Sequence, residues 1–127
     1  VSYGPFEFGA TRTTVPHLTQ QLDHDDVGQG DVSSRWSTDV DGVEVDFWND
    51  RLVGVTSSSS FVYEGVQFIG ARYPEVRALL PVGPKMEMVS PVITVSWDTF
   101  NLMLIMDLSY MITDVAVDVD PDLLTPS

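Results

Sequence analysis

Cysteine is absent from the 127 residues, which excludes disulfides and thiolate chemistry and leaves the redox compartment unread. Lysine occurs once, as Lys85, and histidine twice; six basic residues face 19 acidic ones, for a formal net charge of −13. With a Debye length of about 8 Å at physiological salt, such a surface repels nucleic acid at close range and favours basic partners or cations. Long apolar runs are also missing. The longest, Leu102 to Met106, falls far short of the ~20 residues that cross a bilayer, and no basic segment followed by an apolar run opens the chain, so neither a signal peptide nor a membrane anchor is expected. A phosphate-cradling loop is lacking too, because Gly28-Gln-Gly30 neither follows an expected strand nor opens a helix.

What is present looks doubled. Gly4, Gly9, Ala10, Val15, Leu18 and Trp36 recur 61 residues later as Gly65, Gly70, Ala71, Val76, Leu79 and Trp97. The matches gather in one pattern, Gly-Ala-x4-Val-x2-Leu, over residues 9–18 and again over 70–79. Units of this kind usually hide their apolar faces against each other. A content of 43% hydrophobic and 10% aromatic residues rules out a disordered chain. One domain over 1–127 is expected, with repeat 1 at about 1–60, repeat 2 at about 61–120 and a frayed tail from Pro121 to Ser127.

In the first copy, Tyr3–Phe8 alternates as a strand ending at Gly9. A helix then follows, capped by Thr11 or Thr13, with Pro16 in its first turn and Val15, Leu18 and Leu22 on one face. Asp23 to Asp31 reads as a mobile acidic loop. Strands are predicted over Ser33–Thr38, Val43–Trp48 and Leu52–Thr56, divided by Asp41-Gly42 and Asn49-Asp50, both suited to two-residue turns. Ser57–Ser60 reads as an extended link. The second copy predicts a strand at Val66–Ile69 and a helix at Pro74–Leu80, with Glu75 placed for the dipole and Pro81 ending it. A non-helical loop at Val82–Pro91 precedes strands at Ile93–Trp97, Leu102–Leu108 and Ile112–Asp118.

The expected class is therefore α+β: two tandem repeats of a short helix plus an antiparallel β-meander, helices on one face of a sheet. On that order of elements and the Gly-Ala-x4-Val-x2-Leu pattern, the chain resembles the beta-lactamase inhibitory protein family and the small bacterial outer-membrane assembly lipoproteins that share its unit. The resemblance implies a concave sheet that grips a partner. Those inhibitors carry disulfides and longer repeats, so inhibition of a beta-lactamase is not carried over and no family residue maps here.

Strand alternation then says which side chains face away from the helices. Val43, Val45 and Phe47 point one way and Glu44, Asp46 and Trp48 the other; Leu102, Leu104, Met106 and Leu108 turn inward, leaving Met103, Ile105 and Asp107 outward. A face with Trp48, Met103 and Ile105 fringed by Glu44, Asp46 and Asp107 has the make-up of a partner-binding surface. Two alternatives stand beside it: Trp48 caps a core edge, or Met103 and Ile105 are covered by loops or by a second subunit. Trp36 and Trp97 read as paired core residues, although their neighbours Ser34, Thr38 and Thr99 are polar.

Chemistry-bearing motifs are sparse, and no cofactor and no catalytic residue is assigned. His17 and His24 with Asp23, Asp25 and Asp26 would make a carboxylate and imidazole metal site only on a helix extending through His24. Asp39-x-Asp41-Gly42 lacks the distal ligands of a calcium loop, and Asp118, Asp120 and Asp122 read as a charged tail. Glu44 and Asp46, about 7 Å apart on one strand face, match a glycosidase spacing without a cleft to go with it. The expected function is an acidic protein-binding module, of inhibitor or immunity type, against a basic partner. The alternatives are a homodimerising structural domain and a small metal-dependent hydrolase. The Asp-rich composition also fits simple solubility, or a salt-adapted or GC-rich source, bacterial or archaeal.

Overall fold

The computed structural model describes residues 2–3, 5–97 and 101–119. It is mostly antiparallel sheet, and it divides into two compact units: Val1–Val55 with Asp118–Ser127, and Thr56–Val117. Among the described residues the α-helix count is one, a single turn at Tyr73–Val76. The expected α+β class, with a helix from each repeat lying on a sheet face, is thereby overturned.

The first unit opens with β1 (Ser2–Tyr3) and β2 (Phe6–Glu7), which pair as a tight antiparallel hairpin. The helix expected through Leu22 shrinks to a 3₁₀ turn at Arg12–Thr14. Pro16 is the cause: its ring drives the preceding residue out of the helical region, and Val15 is extended at φ −77° and ψ 125°. His17 then takes φ 71°, and the chain runs straight into β3 (Leu18–Gly28). Leu18 and Leu22 therefore lie on a strand, and most of the supposed acidic loop is the rest of that strand. β4 (Asp31–Thr38), β5 (Val43–Trp48) and β6 (Arg51–Ser57) complete a meander in chain order. Asn49 and Asp50 both adopt positive φ, 49° and 62°, as a two-residue turn with matching twist requires. Asp41-Gly42 does not make such a turn: four residues separate β4 from β5, and only Gly42, at φ 69°, is left-handed. Thr38 holds this loop: its hydroxyl donates to the Val43 carbonyl at 2.9 Å and accepts the Val40 amide at 3.2 Å. The core of the unit is Phe6, Val15, Val43, Val45, Phe47, Leu52 and Val55, with Trp36 and Leu18 packed at its margin.

The second unit begins with the pair β7 (Val62–Tyr63) and β8 (Val66–Gln67), shorter than the strand expected to reach Ile69. Then comes α1 (Tyr73–Val76), prolonged by a 3₁₀ turn at Arg77–Leu79. Glu75 reaches back to accept the Arg72 amide at 2.9 Å, one half of a capping box. β9 (Lys85–Val89) occupies the stretch read as a loop, followed by β10 (Val92–Ser96), β11 (Leu102–Met106) and β12 (Ile112–Asp118), again in chain order. Leu108, expected inward, sits in the turn after β11 and is 52% exposed. Phe61, Phe68, Tyr73 and Val76 are buried in this unit, as are Ile93, Val95, Leu104, Met106, Ile112 and Val115 of its strands.

The Gly-Ala step is built the same way in both units. Gly9 and Gly70 have φ of 89° and 87°, a region open chiefly to glycine. Gly9 donates its amide to the Leu52 carbonyl and Gly70 to that of Ile112, both at 2.8 Å; Leu52 and Ile112 return the bond to Ala10 and Ala71 at 2.9 and 2.8 Å. Each unit thus laces its opening segment to the last strand of its meander. The tryptophans do not correspond. Trp36 lies within β4 opposite Val45, whereas the residue opposite Leu104, the equivalent middle position of β11, is Val95. Trp97 falls just beyond β10 and donates Nε1 to the Pro81 carbonyl at 2.8 Å. Trp36 packs under Arg12, 5.5 Å from its ring centroid, and its buried Nε1 has no hydrogen-bond partner among the described residues. Gly4, Thr99, Asp120, Asp122 and the tail from Pro121 to Ser127 lie outside the described residues.

Candidate functional site

The alternation of β5 is as strict in space as in sequence: Val43, Val45 and Phe47 are buried, while Glu44, Asp46 and Trp48 are half-buried on the opposite face. β4 brings three partners to that face, Ser37 opposite Glu44, Arg35 opposite Asp46 and Ser33 opposite Trp48. β3 adds Asp23 opposite Arg35. Charges thus form a row across three strands, acid, base, acid.

Arg35 organises it. Its planar fork grips Asp46 through Nε to Oδ1 at 2.9 Å and Nη2 to Oδ2 at 3.2 Å, while Nη1 reaches Glu44 Oε1 at 3.3 Å. Bidentate pairing is the strong form of this contact, and the bonded Asp46 holds the guanidinium pKa above its ordinary value. Beside Asp46 the surface dips at Gly54. A Cβ there would fall 2.6 Å from Asp118 Oδ1 and 3.2 Å from Asp46 Oδ2, so two carboxylates close over the space a side chain would take. Burial, and then the charge of Asp46, raise the pKa of Asp118, while Arg35 pulls it back down. Asp23, Ser33, Arg35, Asp46, Trp48 and Val53 line a shallow cleft of about 500 Å³ on this face.

A raised carboxyl pKa means that the folded state holds the proton more tightly than the unfolded chain. The stability this confers is complete below the ordinary aspartate range and is lost as pH rises through the folded pKa. Asp118→Asn is expected to leave stability unchanged at about pH 3.5 and to raise it at pH 7; urea unfolding at the two pH values is the check, and an equal effect at both would contradict this assignment.

In the second unit, Met103 and Ile105 are half-buried on β11, beside Ser96 and Thr94 of β10 and Ala116 and Asp114 of β12. Asp107 does not join them. It follows the strand, and its carboxylate accepts the Ser109 hydroxyl at 2.6 Å and the amides of Ser109 and Met111 at 2.9 and 3.1 Å. Those bonds, the Ser109 hydroxyl first, hold its pKa below the usual carboxylate range. It closes a turn. The six expected residues therefore separate into a built cluster of Glu44, Asp46 and Trp48 in one unit, an apolar pair in the other, and one turn residue.

Arg35, Gly54, Asp118 and Asp23 belong to the cluster, and sequence reasoning missed them. Reading Asp41-Gly42 as a two-residue turn places Arg35 opposite Trp48; the longer loop moves the register by two and puts it opposite Asp46. A lone arginine at the middle of a strand, facing two acids on the next strand, was the available signal.

The helix needed to bring His17 and His24 together as a metal site is absent, since His24 lies on a strand. His17 Nδ1 meets Asp39 Oδ1 at 2.7 Å, His24 lies on β3 opposite Ser34, and no group of three or more metal-ligating side chains occurs among the described residues. Neither a known protein family, nor a curated protein, nor a solved structure matches the chain.

Proposed function

We propose that the chain is an acidic protein-binding module whose first unit docks a basic partner on the face of β4 and β5. The observation that supports this most is Trp48, a large aromatic left half-buried on the cleft wall beside Asp46, one residue from the fully buried Phe47. Aromatics in such settings are the usual anchors of interfaces. Charge supports the same partner class: the first unit holds thirteen of the 19 acidic residues and only three of the six basic ones. A guanidinium or ammonium from the partner would find the Trp48 ring for cation–π contact, with Asp23 and Asp118 around the Arg35 cluster. Of the resemblance to the inhibitory proteins only a largely antiparallel sheet with an open face carries into this reading; the disposition of helices does not.

The test is capture from the native organism's lysate at about 0.15 M salt, followed by titration with the purified captured protein. A basic protein is expected. Trp48→Ala should weaken its binding by about 30-fold or more, corresponding to ~2 kcal/mol, and Asp46→Asn should weaken it with a shallower salt dependence. A captured protein without excess basic charge, or one bound equally well by folded Trp48→Ala, would remove this function.

A further inference from the structure

The two outer strands of the meanders are treated in opposite ways. β3 carries Asp23, Asp25 and Asp26, and its register against β4 breaks three times, between Leu18 and Gln20, Gln21 and Asp23, and Asp26 and Gly28. Bulges and charges are the devices by which an edge strand is kept from pairing with another chain. β9 is charged too, by Lys85 and Glu87, but its two charges are opposite in sign where those of β3 are all acidic. Its five residues pair with β10 without a break, no described strand lies on its outer side, and Met86 and Met88 stand opposite the buried Val95 and Ile93. The apolar rows of the core thus run out onto β9, with Met86 50% and Met88 63% exposed.

We propose that β9 is a self-association edge, on which a second copy of this chain pairs its own β9 antiparallel about a two-fold axis at Met86. The strand is complementary to itself. Lys85 and Glu87 share one face and are opposite in sign, so this register places Lys85 across from the partner's Glu87 and Glu87 across from the partner's Lys85. On the other face Met86 meets the partner's Met86, continuing the row that begins at Val95. Directly opposed unlike charges and apolar pairs are the favourable units of strand pairing. Charge also permits a second copy here despite the net −13: residues 56–117 hold six acidic and three basic residues, a net of −3, against −10 for the remainder. In this register Lys85, Met86 and Glu87 pair with their counterparts while Met88 and Val89 fall opposite the partner's Pro84 and Gly83, so the contact is smaller than a standard interface and the dimer is concentration-dependent.

Sedimentation equilibrium from about 5 to 500 μM is expected to show the 14.0 kDa monomer giving way to a dimer. Lys85→Glu and Glu87→Lys, each alone, oppose like charges across the axis and should raise the dimer dissociation constant at least ~10-fold. Mixed in equal amounts, the two variants should form a heterodimer, because each then presents the sign the other lacks. A wild type that stays monomeric at 500 μM, or single variants that dimerise as the wild type does, would overturn the assignment, as would a mixture that fails to restore association. The second of these outcomes would place self-association on another surface. None of them bears on the Trp48 face, whose test uses different residues and a different partner.

Discussion

Phe47→Ala is expected to lower the unfolding free energy by about 3–5 kcal/mol, while Trp48→Ala, one residue later, costs the fold no more than about 1 kcal/mol. Phe47 is 1% exposed and belongs to the cluster that includes Phe6, Val45 and Leu52, so its removal leaves a void that close packing cannot fill. Trp48 lies on the opposite face, half-buried against its cross-strand neighbour Ser33, and its loss removes surface contact without opening the core. Urea denaturation of the two variants with a common m-value gives the comparison directly. If Trp48→Ala proved as destabilising as Phe47→Ala, Trp48 would be a core residue, and the docking face proposed for the first unit would have no anchor.

Arg35→Ala should cost about 1–2 kcal/mol at pH 7, more than an ordinary surface ion pair and less than a buried one. The pairs are intermediate in exposure, at 43% for Arg35 and 30% for Asp46, so solvent screens part of the interaction. What raises the cost above the surface range is the company left behind. Without the guanidinium, Asp46, Glu44, Asp23 and Asp118 share one face with no cation among them. Asp118, already titrating high, loses the charge that drew its pKa down and should move further up. The variant should therefore regain stability relative to wild type as pH falls through the raised pKa of Asp118, and in part as salt is added. Arg35→Lys should recover only some of the loss, because a point charge cannot reproduce the two-pronged hold on Asp46. Unfolding curves across pH 4–7 at low and high salt measure all three effects. A loss in Arg35→Ala that ignored both pH and salt would mean that the side chain acts by packing instead.

How much of this could be read beforehand differs by element. β5 and β12 have the predicted bounds, Val43–Trp48 and Ile112–Asp118; in β5 strict alternation between turn residues carries the signal, and in β12 its β-branched residues do. The stretch from Val15 to Leu22 did not, since leucines four apart satisfy a helix while the local backbone obeys Pro16. β9 was hidden for a related reason: Pro84 and Pro91 flank Lys-Met-Glu-Met-Val and mark a loop, yet neither lies inside the strand. At the candidate site Glu44, Asp46 and Trp48 were legible from period-two alternation, whereas Arg35 depended on the length of one loop.

The amino-acid sequence alone determined the strongly acidic balance, the lack of thiol chemistry, the inward and outward faces of β5 and the two Gly-Ala steps whose glycines take positive φ. These are properties of composition or of a few consecutive residues, fixed by side-chain polarity and backbone sterics. Only the tertiary structure decided that the first expected helix gives way to a strand, that Arg35 clasps Asp46, that Asp118 closes over Gly54 and that β9 ends the strand order among the described residues. Each of those depends on which distant backbone satisfies a strand's hydrogen bonds, and pairing of that kind follows from loop length and burial across the whole unit.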